Sequence, residues 1–174
     1  MIERSGEAFE EGIQLTVVGA KLAAGDMAPE LGLENFDPST SAMSEVTLEA
    51  SAGKVRVLNV INSVDTPVCD IETKQWETLR KGLPNVQFYT VSMDLPFGMA
   101  RWQTASDVTH AMLSAHKNEK FAVDYGVLLK EWRLLQRAVF VIDGGGKIVY
   151  AEYVEDQMKE PDYDAAIAAA SGTA

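Results

Sequence analysis

Hydrophobic positions change period several times along this chain, and each change marks an element. Val55–Ile61, Val86–Ser92 and Ala138–Ile142 are near-continuous apolar runs, the pattern of strands buried on both faces. Between the first two, Val68, Ile71, Trp76, Leu79 and Leu83 recur at roughly helical spacing. Thr66-Pro67 is a start signal for that helix, with Thr66 as N-cap. Gly82-Leu83-Pro84-Asn85 is the stop, with Gly82 as the C′ residue. Strand, helix and strand in this order predict a right-handed parallel crossover. Asp143–Lys147 reads as a turn and Ile148–Val154 as a returning strand, which makes an antiparallel hairpin with Ala138–Ile142.

The flanks are shorter and more broken. Strands around Ile2–Phe9 and Ile13–Val18, interrupted by Glu10-Glu11-Gly12, predict an N-terminal β-hairpin within residues 1–20. A short strand at Leu31–Glu34, a Pro/Ser/Thr-rich loop over Phe36–Met43 and an edge strand at Glu45–Leu48 come next. Asp94–Gln103 begins as a loop and runs into a short helix. Ser106–Ser114 has no decisive period, and Lys117–Val123 reads as a short helix. Pro161 opens a final helix, Asp162–Ala170, with acidic residues in its first turn.

Composition narrows the class. A chain of 174 residues, 47% hydrophobic, is expected to form one domain over 1–174. Its net charge of −11, from 26 acidic and 15 basic residues, disfavours nucleic acid as a partner. No stretch approaches the length of a membrane span, and the acidic opening MIERSGEAFEEG lacks the order of a signal peptide. The single cysteine argues against a disulfide-stapled secreted protein, so a cytoplasmic setting is expected.

That cysteine, Cys69, falls in the first turn of the helix after the central strand. Unpaired N–H groups and the positive end of the helix dipole favour a thiolate there, the form that is nucleophilic and open to oxidation. The plainer reading, a small buried hydrophobe, describes most free cysteines. The strand–loop–TPxxC–helix context favours the reactive one.

Ser63-Val64-Asp65-Thr66-Pro67-Val68-Cys69 strongly resembles the peroxidatic loop of the bacterial thiol peroxidases, a branch of the peroxiredoxins, in which the loop reads P-S-[LIV]-D-T-P-V-C. Val91–Phe97 is similar to the family's S-x-D-L-P-F. Tyr125-Gly126-Val127, Arg137–Asp143 and Glu160–Ala166 match later landmarks in order, so the resemblance covers almost the whole chain. It implies an α/β, thioredoxin-like fold, a mixed central sheet flanked by helices with the N-terminal hairpin as a cap, in agreement with the element order. Two departures stand out. Asn62 occupies the proline position at the head of the loop, and Arg101-Trp102-Gln103 occupies the segment where the family carries its resolving cysteine. With one cysteine, no intramolecular disulfide can form.

The resemblance implies roles for particular residues. Cys69 is the peroxidatic nucleophile; Thr66 hydrogen-bonds the peroxide; Arg137 lies beside the sulfur, where a guanidinium favours the thiolate and orients peroxide oxygens. Asn62 and Val68 belong to the substrate pocket. Asparagine in place of a ring that fixes φ and carries no donor predicts a wetter, less preorganised site. Asp143-Gly144-Gly145-Gly146-Lys147 lacks the first glycine and the Ser/Thr of a phosphate loop and reads as a flexible turn. His110 and His116 have no metal-ligating partner nearby in sequence, so no metal is expected. Trp76, Trp102 and Trp132 read as packing residues, with Trp102 near the active-site loop.

The leading expectation is a thiol-dependent peroxidase of one-cysteine type that acts on hydrogen peroxide or organic hydroperoxides. It needs no cofactor, and an external thiol, either a thioredoxin-type protein or a low-molecular-weight thiol, resolves the oxidised cysteine. A homodimer is implied by the resemblance. The alternative is a catalytically impaired relative acting as a redox sensor or binding module. A thioredoxin-type disulfide oxidoreductase is disfavoured, because no C-x-x-C is present.

Overall fold

The computed structural model describes residues 1–174. In chain order the elements are β1 (Glu3–Glu10), β2 (Ile13–Val18), β3 (Leu33–Asp37), β4 (Ala42–Val46), β5 (Arg56–Val60), α1 (Pro67–Leu79), β6 (Gln87–Ser92), α2 (Pro96–Ala105) and β7 (Ala111–Ser114). They continue as α3 (Glu119–Asp124), β8 (Leu128–Leu129), β9 (Leu134–Leu135), β10 (Ala138–Ile142), β11 (Ile148–Tyr153) and α4 (Tyr163–Thr173). Seven strands form a mixed sheet in the order β11-β10-β5-β6-β7-β3-β4. Its centre, β5-β6-β7, is parallel, and β10 pairs antiparallel with β5 and with β11. The predicted parallel relation of β5 and β6 across α1 is present.

Every residue of β5 and of β10 is buried, because both faces of the sheet are covered. On one face Val57, Phe88, Val139 and Val141 pack with Trp76 of α1 and Ala166 and Ala170 of α4. On the other, Leu58, Val60, Val91 and Phe140 pack with Phe121 and Tyr125 around α3. The strict alternation along β5 therefore sends neighbouring residues into two separate cores. Truncating a side chain as enclosed as Trp76 would cost about 3–5 kcal/mol.

The N-terminal hairpin is present, with β1 and β2 antiparallel, and joins β8 and β9 in a second, four-stranded sheet. It is docked from both ends. Arg4 donates to the carbonyls of Gly19 and Gly126. Both glycines have positive φ, and a Cβ at Gly19 would collide with the Val123 carbonyl. At the hairpin tip, Phe9 N–H donates to Glu155 O at 2.7 Å and Gln157 N–H donates to Phe9 O at 2.8 Å. The hairpin thereby fixes the 155–159 segment, two of whose carbonyls reach Arg137.

Several local expectations are corrected. The Phe36–Met43 loop shrinks to a turn over 38–41, and the strands expected at Leu31–Glu34 and Glu45–Leu48 are displaced towards it as β3 and β4. Asp37 accepts hydrogen bonds from Ser39 N–H and from the Ser39 and Thr40 hydroxyls, and Ser41 adopts φ 55°, so the turn closes within four residues. The undecided Ser106–Ser114 stretch ends in β7. Gly82 is not a left-handed C′ residue: α1 ends at Leu79 and a 3₁₀ turn over Arg80–Gly82 completes it. Thr66 holds the N-cap position of α1 without a side-chain capping bond, and its hydroxyl donates to Ser63 O at 2.9 Å. The final helix begins at Tyr163, capped by Asp162, whose carboxylate accepts from Ala165 N–H.

Candidate active site

Cys69 sits at the third position of α1, fully buried, in a small cluster with Ile61, Val64, Met99, Val108 and Met112. The loop that presents it is tied down by Asp94. That carboxylate accepts from the Ser63 hydroxyl at 2.8 Å, from Val64 N–H at 2.9 Å and from the Ser92 hydroxyl at 2.7 Å. Trp102 packs against the same cluster and donates its indole N–H to Asp70 at 3.1 Å, so the segment that lacks a cysteine braces the first turn of α1. Gln103 turns away and donates to His110 O.

Arg137 is also fully buried and is no solvated strand-end charge. Its Nη2 donates to Cys69 Sγ at 3.1 Å and its Nε to Glu72 Oε2 at 2.6 Å, while Nη1 donates to Gln157 O and Lys159 O. Every nitrogen of the guanidinium is thus assigned a partner, which fixes the fork in place. Burial works against its charge, but Glu72 and the Cys69 sulfur outweigh it and raise the Arg137 pKa. Burial also pushes the Glu72 carboxyl up, to about 8, against the pull of Arg137. One cation therefore faces two acidic groups. Glu72 Oε1 and Trp76 Nε1, one helical turn apart, are a complementary acceptor and donor left without other partners.

Asn62 departs from its expectation. It is almost fully buried, and its Nδ2 donates to Leu135 O at 2.6 Å and to Gln157 Oε1 at 3.1 Å. Its Oδ1 is left facing Cys69 Sγ at 3.9 Å. The residue is preorganised by tertiary contacts where a proline would be preorganised by its ring, so the looser site expected from its sequence is not found.

A cleft of about 370 Å³ reaches this centre from the surface. Asn62, Thr66, Pro67, Val68, Trp132 and Arg137 line it, and its mouth carries Glu10 and Glu11 from the hairpin tip. Two lining residues, Asn62 and Arg137, are the side chains that touch the sulfur. Of the five residues singled out in the sequence, Thr66, Arg137, Asn62 and Val68 line one cleft, and Cys69 lies buried behind Asn62 and Arg137. Sequence reasoning missed Glu72 and Gln157. Glu72 had a signal, since three residues after Cys69 on a helix places it on the same face. Gln157 had none: its importance comes from accepting Arg137 N–H and Asn62 while donating to Val154 O and Glu155 O. His110, far from any metal-like cluster, is buried between Glu77 at 2.7 Å and Thr90 at 2.8 Å.

The site is thus a buried cysteine at a helix start, touched by a fixed arginine that lines a cleft. Residues 24–151 match the model of the AhpC/TSA family, and the chain belongs to that family. It is 41% identical over 161 residues to a thiol peroxidase of Bacillus subtilis, covering 92% of this chain and 93% of that protein. It is 43% identical over 159 residues to a thiol peroxidase of Streptococcus sanguinis, covering 91% and 94%. Among solved structures, a peroxiredoxin-like protein from Aquifex aeolicus superposes with TM-score 0.85 at 29% identity, over 98% of this chain and 99% of that one. A thiol peroxidase from Chromobacterium violaceum, at 19% identity, shares the fold with TM-score 0.84 over 95% of both chains.

Proposed function

We propose that the chain is a thiol-dependent peroxidase of one-cysteine type, acting on hydrogen peroxide or small organic hydroperoxides. The observation that carries this reading is the 3.1 Å contact between Cys69 Sγ and Nη2 of Arg137, an arginine that lines the cleft. Cys69 thiolate attacks the terminal peroxide oxygen, the O–O bond breaks, and the alkoxide or hydroxide leaves and takes a proton from water. Cys69 becomes a sulfenic acid. Arg137 supplies positive charge where the leaving oxygen develops negative charge. The Thr66 hydroxyl, with its proton committed to Ser63 O, offers lone pairs to the peroxide O–H. The N–H groups of Val68 and Cys69, in the first turn of α1, have no acceptor in the chain and complete a donor set at the cleft base.

Turnover then requires two external thiols. The first condenses with the sulfenic acid, releasing water and leaving a mixed disulfide; the second reduces it, leaving a free disulfide and Cys69 thiol. We read the resolver as a low-molecular-weight thiol or a thioredoxin-type protein, because Cys69 is the only cysteine. We also propose that residues 1–174 act as one domain, that the enzyme works in the cytoplasm and that it forms a homodimer. No helix is long and apolar enough to cross a membrane.

The test is intact mass after a brief stoichiometric pulse of hydrogen peroxide in the presence of a sulfenic-acid trap. Rapid, complete trapping that vanishes in Cys69→Ser supports a working peroxidase. A rate no faster than that of a free thiol would overturn it in favour of an impaired, sensing or binding relative.

A further inference from the structure

Asn62 stands where the thiol peroxidases it resembles carry proline, and its contacts give that position a chemistry a proline lacks. The direction of its amide is set by its surroundings. Gln157 is oriented by donating Nε2 to Val154 O at 2.7 Å and Glu155 O at 3.2 Å, and its Oε1 accepts Arg137 N–H at 2.9 Å. Gln157 Oε1 and Leu135 O are both acceptors, so both Asn62 Nδ2 protons are drawn to them. The carbonyl Oδ1 has one neighbour in reach, Cys69 Sγ at 3.9 Å. An amide carbonyl accepts and cannot donate. It can therefore accept from a protonated group at this position, the S–O–H of the sulfenic acid once the cysteine is oxidised.

The proton matters once the cysteine is oxidised. A sulfenic acid is oxidised further as its anion: Cys69 S–O⁻ attacks a second peroxide, a new S–O bond forms, the O–O bond breaks, and the products are sulfinate and an alcohol or water. A proton on the oxygen draws electron density from the sulfur lone pairs and makes them weaker nucleophiles, yet the sulfur stays open to attack by an external thiol. In a chain with no second cysteine the sulfenic acid must persist until such a thiol arrives.

We propose that Asn62 protects the Cys69 sulfenic acid, its fixed carbonyl holding the S–O–H proton and so retarding oxidation to the irreversible sulfinic state. The inference rests on the peroxidase reading above and extends it to the fate of the oxidised enzyme. The experiment oxidises the full-length wild type, Asn62→Ala and Asn62→Pro with one equivalent of hydrogen peroxide, removes the excess, and adds a second, larger dose without any thiol. Intact mass then tracks sulfenic and sulfinic acid with time, and circular dichroism melts show which variants are folded. Loss of one hydrogen bond predicts that the two variants pass to sulfinic acid about fivefold faster than wild type. Two variants of different shape keep the test open if either fails to fold. Equal rates of sulfinic acid formation would overturn the role of Asn62 and leave the peroxidase reading standing. Failure of wild type to form sulfenic acid in the first dose would overturn both.

Discussion

Glu72 Oε2 and Arg137 Nε lie 2.6 Å apart with both side chains sealed from water, on the same guanidinium that contacts Cys69 Sγ. The arginine is shared between a carboxyl and the cysteine sulfur. How much of its charge the sulfur feels depends on whether Glu72 holds a proton.

Burial raises that carboxyl from its ordinary 4.5 to about 8. Between those values the unfolded chain has released a proton that the folded chain keeps, so raising the pH from about 4.5 to 8 erodes stability. Glu72→Gln retains the acceptor for Arg137 and removes the titration. Its melting temperature should therefore vary less than that of wild type across this window. Its rate of Cys69 oxidation, divided by that of wild type, should rise as the pH passes about 8 and wild-type Glu72 becomes a second anion on the guanidinium. A ratio that stays flat with pH would show that Glu72 does not compete with the sulfur.

Thr66 occupies an N-cap position without a capping bond. Thr66→Val should thus leave the melting temperature nearly unchanged, the lost bond to Ser63 O amounting to about 1 kcal/mol. The second-order rate of Cys69 oxidation should fall about tenfold, and Thr66→Ser should restore it. A large drop in stability with no change in rate would return Thr66 to a purely structural role.

The buried His110–Glu77 pair is a separate stability device, with Arg80 and Thr109 also on the carboxylate. Burial disfavours the charged imidazole more than Glu77 favours it, so the His110 pKa is lowered. The Glu77 carboxyl is lowered too: burial would raise it, but its hydrogen bonds from His110, Arg80 and Thr109 prevail. Both groups have folded values below their unfolded ones. Their stabilisation is present above those unfolded values, near 6.5 and 4.5, and is lost on acidification. In the Glu72→Gln background, which removes the opposing titration of that carboxyl, urea titrations should show stability declining from about pH 6.5 downward. Glu77→Ala, which strips a buried partner from His110, should cost about 3 kcal/mol at pH 7 while leaving peroxide chemistry in place. A cost under about 0.5 kcal/mol would show that the pair contributes no net stability.

Trp102 holds the first turn of α1 through Asp70. Trp102→Phe keeps most of the packing and deletes the indole N–H. Amide exchange at Asp70 and Ile71 should quicken several-fold while exchange in β5 stays unchanged, since a lost hydrogen bond of about 1 kcal/mol is local. Equal exchange in both proteins would show that α1 needs no such brace.

Much of this was legible in the order of residues. Buried parallel strands announce themselves as unbroken apolar runs, and Thr66-Pro67 with Cys69 just inside marks a helix start. Those signals are local, and so the central β5–α1–β6 unit, the β10–β11 hairpin and the place of Cys69 near the start of α1 were all readable. The sequence failed where side chains override local preference. The Asp37 turn pulled strands into a stretch that looked like loop, and β7 needed a parallel neighbour to exist. Asn62 shows the limit most clearly. Read by itself it promises a looser site than proline, yet Leu135 and Gln157, more than 70 residues away in sequence, lock it. The chain by itself thus determined the fold and the place of its one sulfur at a helix start, because period and helix-start signals act over a few residues. Only the tertiary structure decided what surrounds the sulfur, because Arg137 and Asn62 reach it from separate segments and Glu72 acts on it through Arg137.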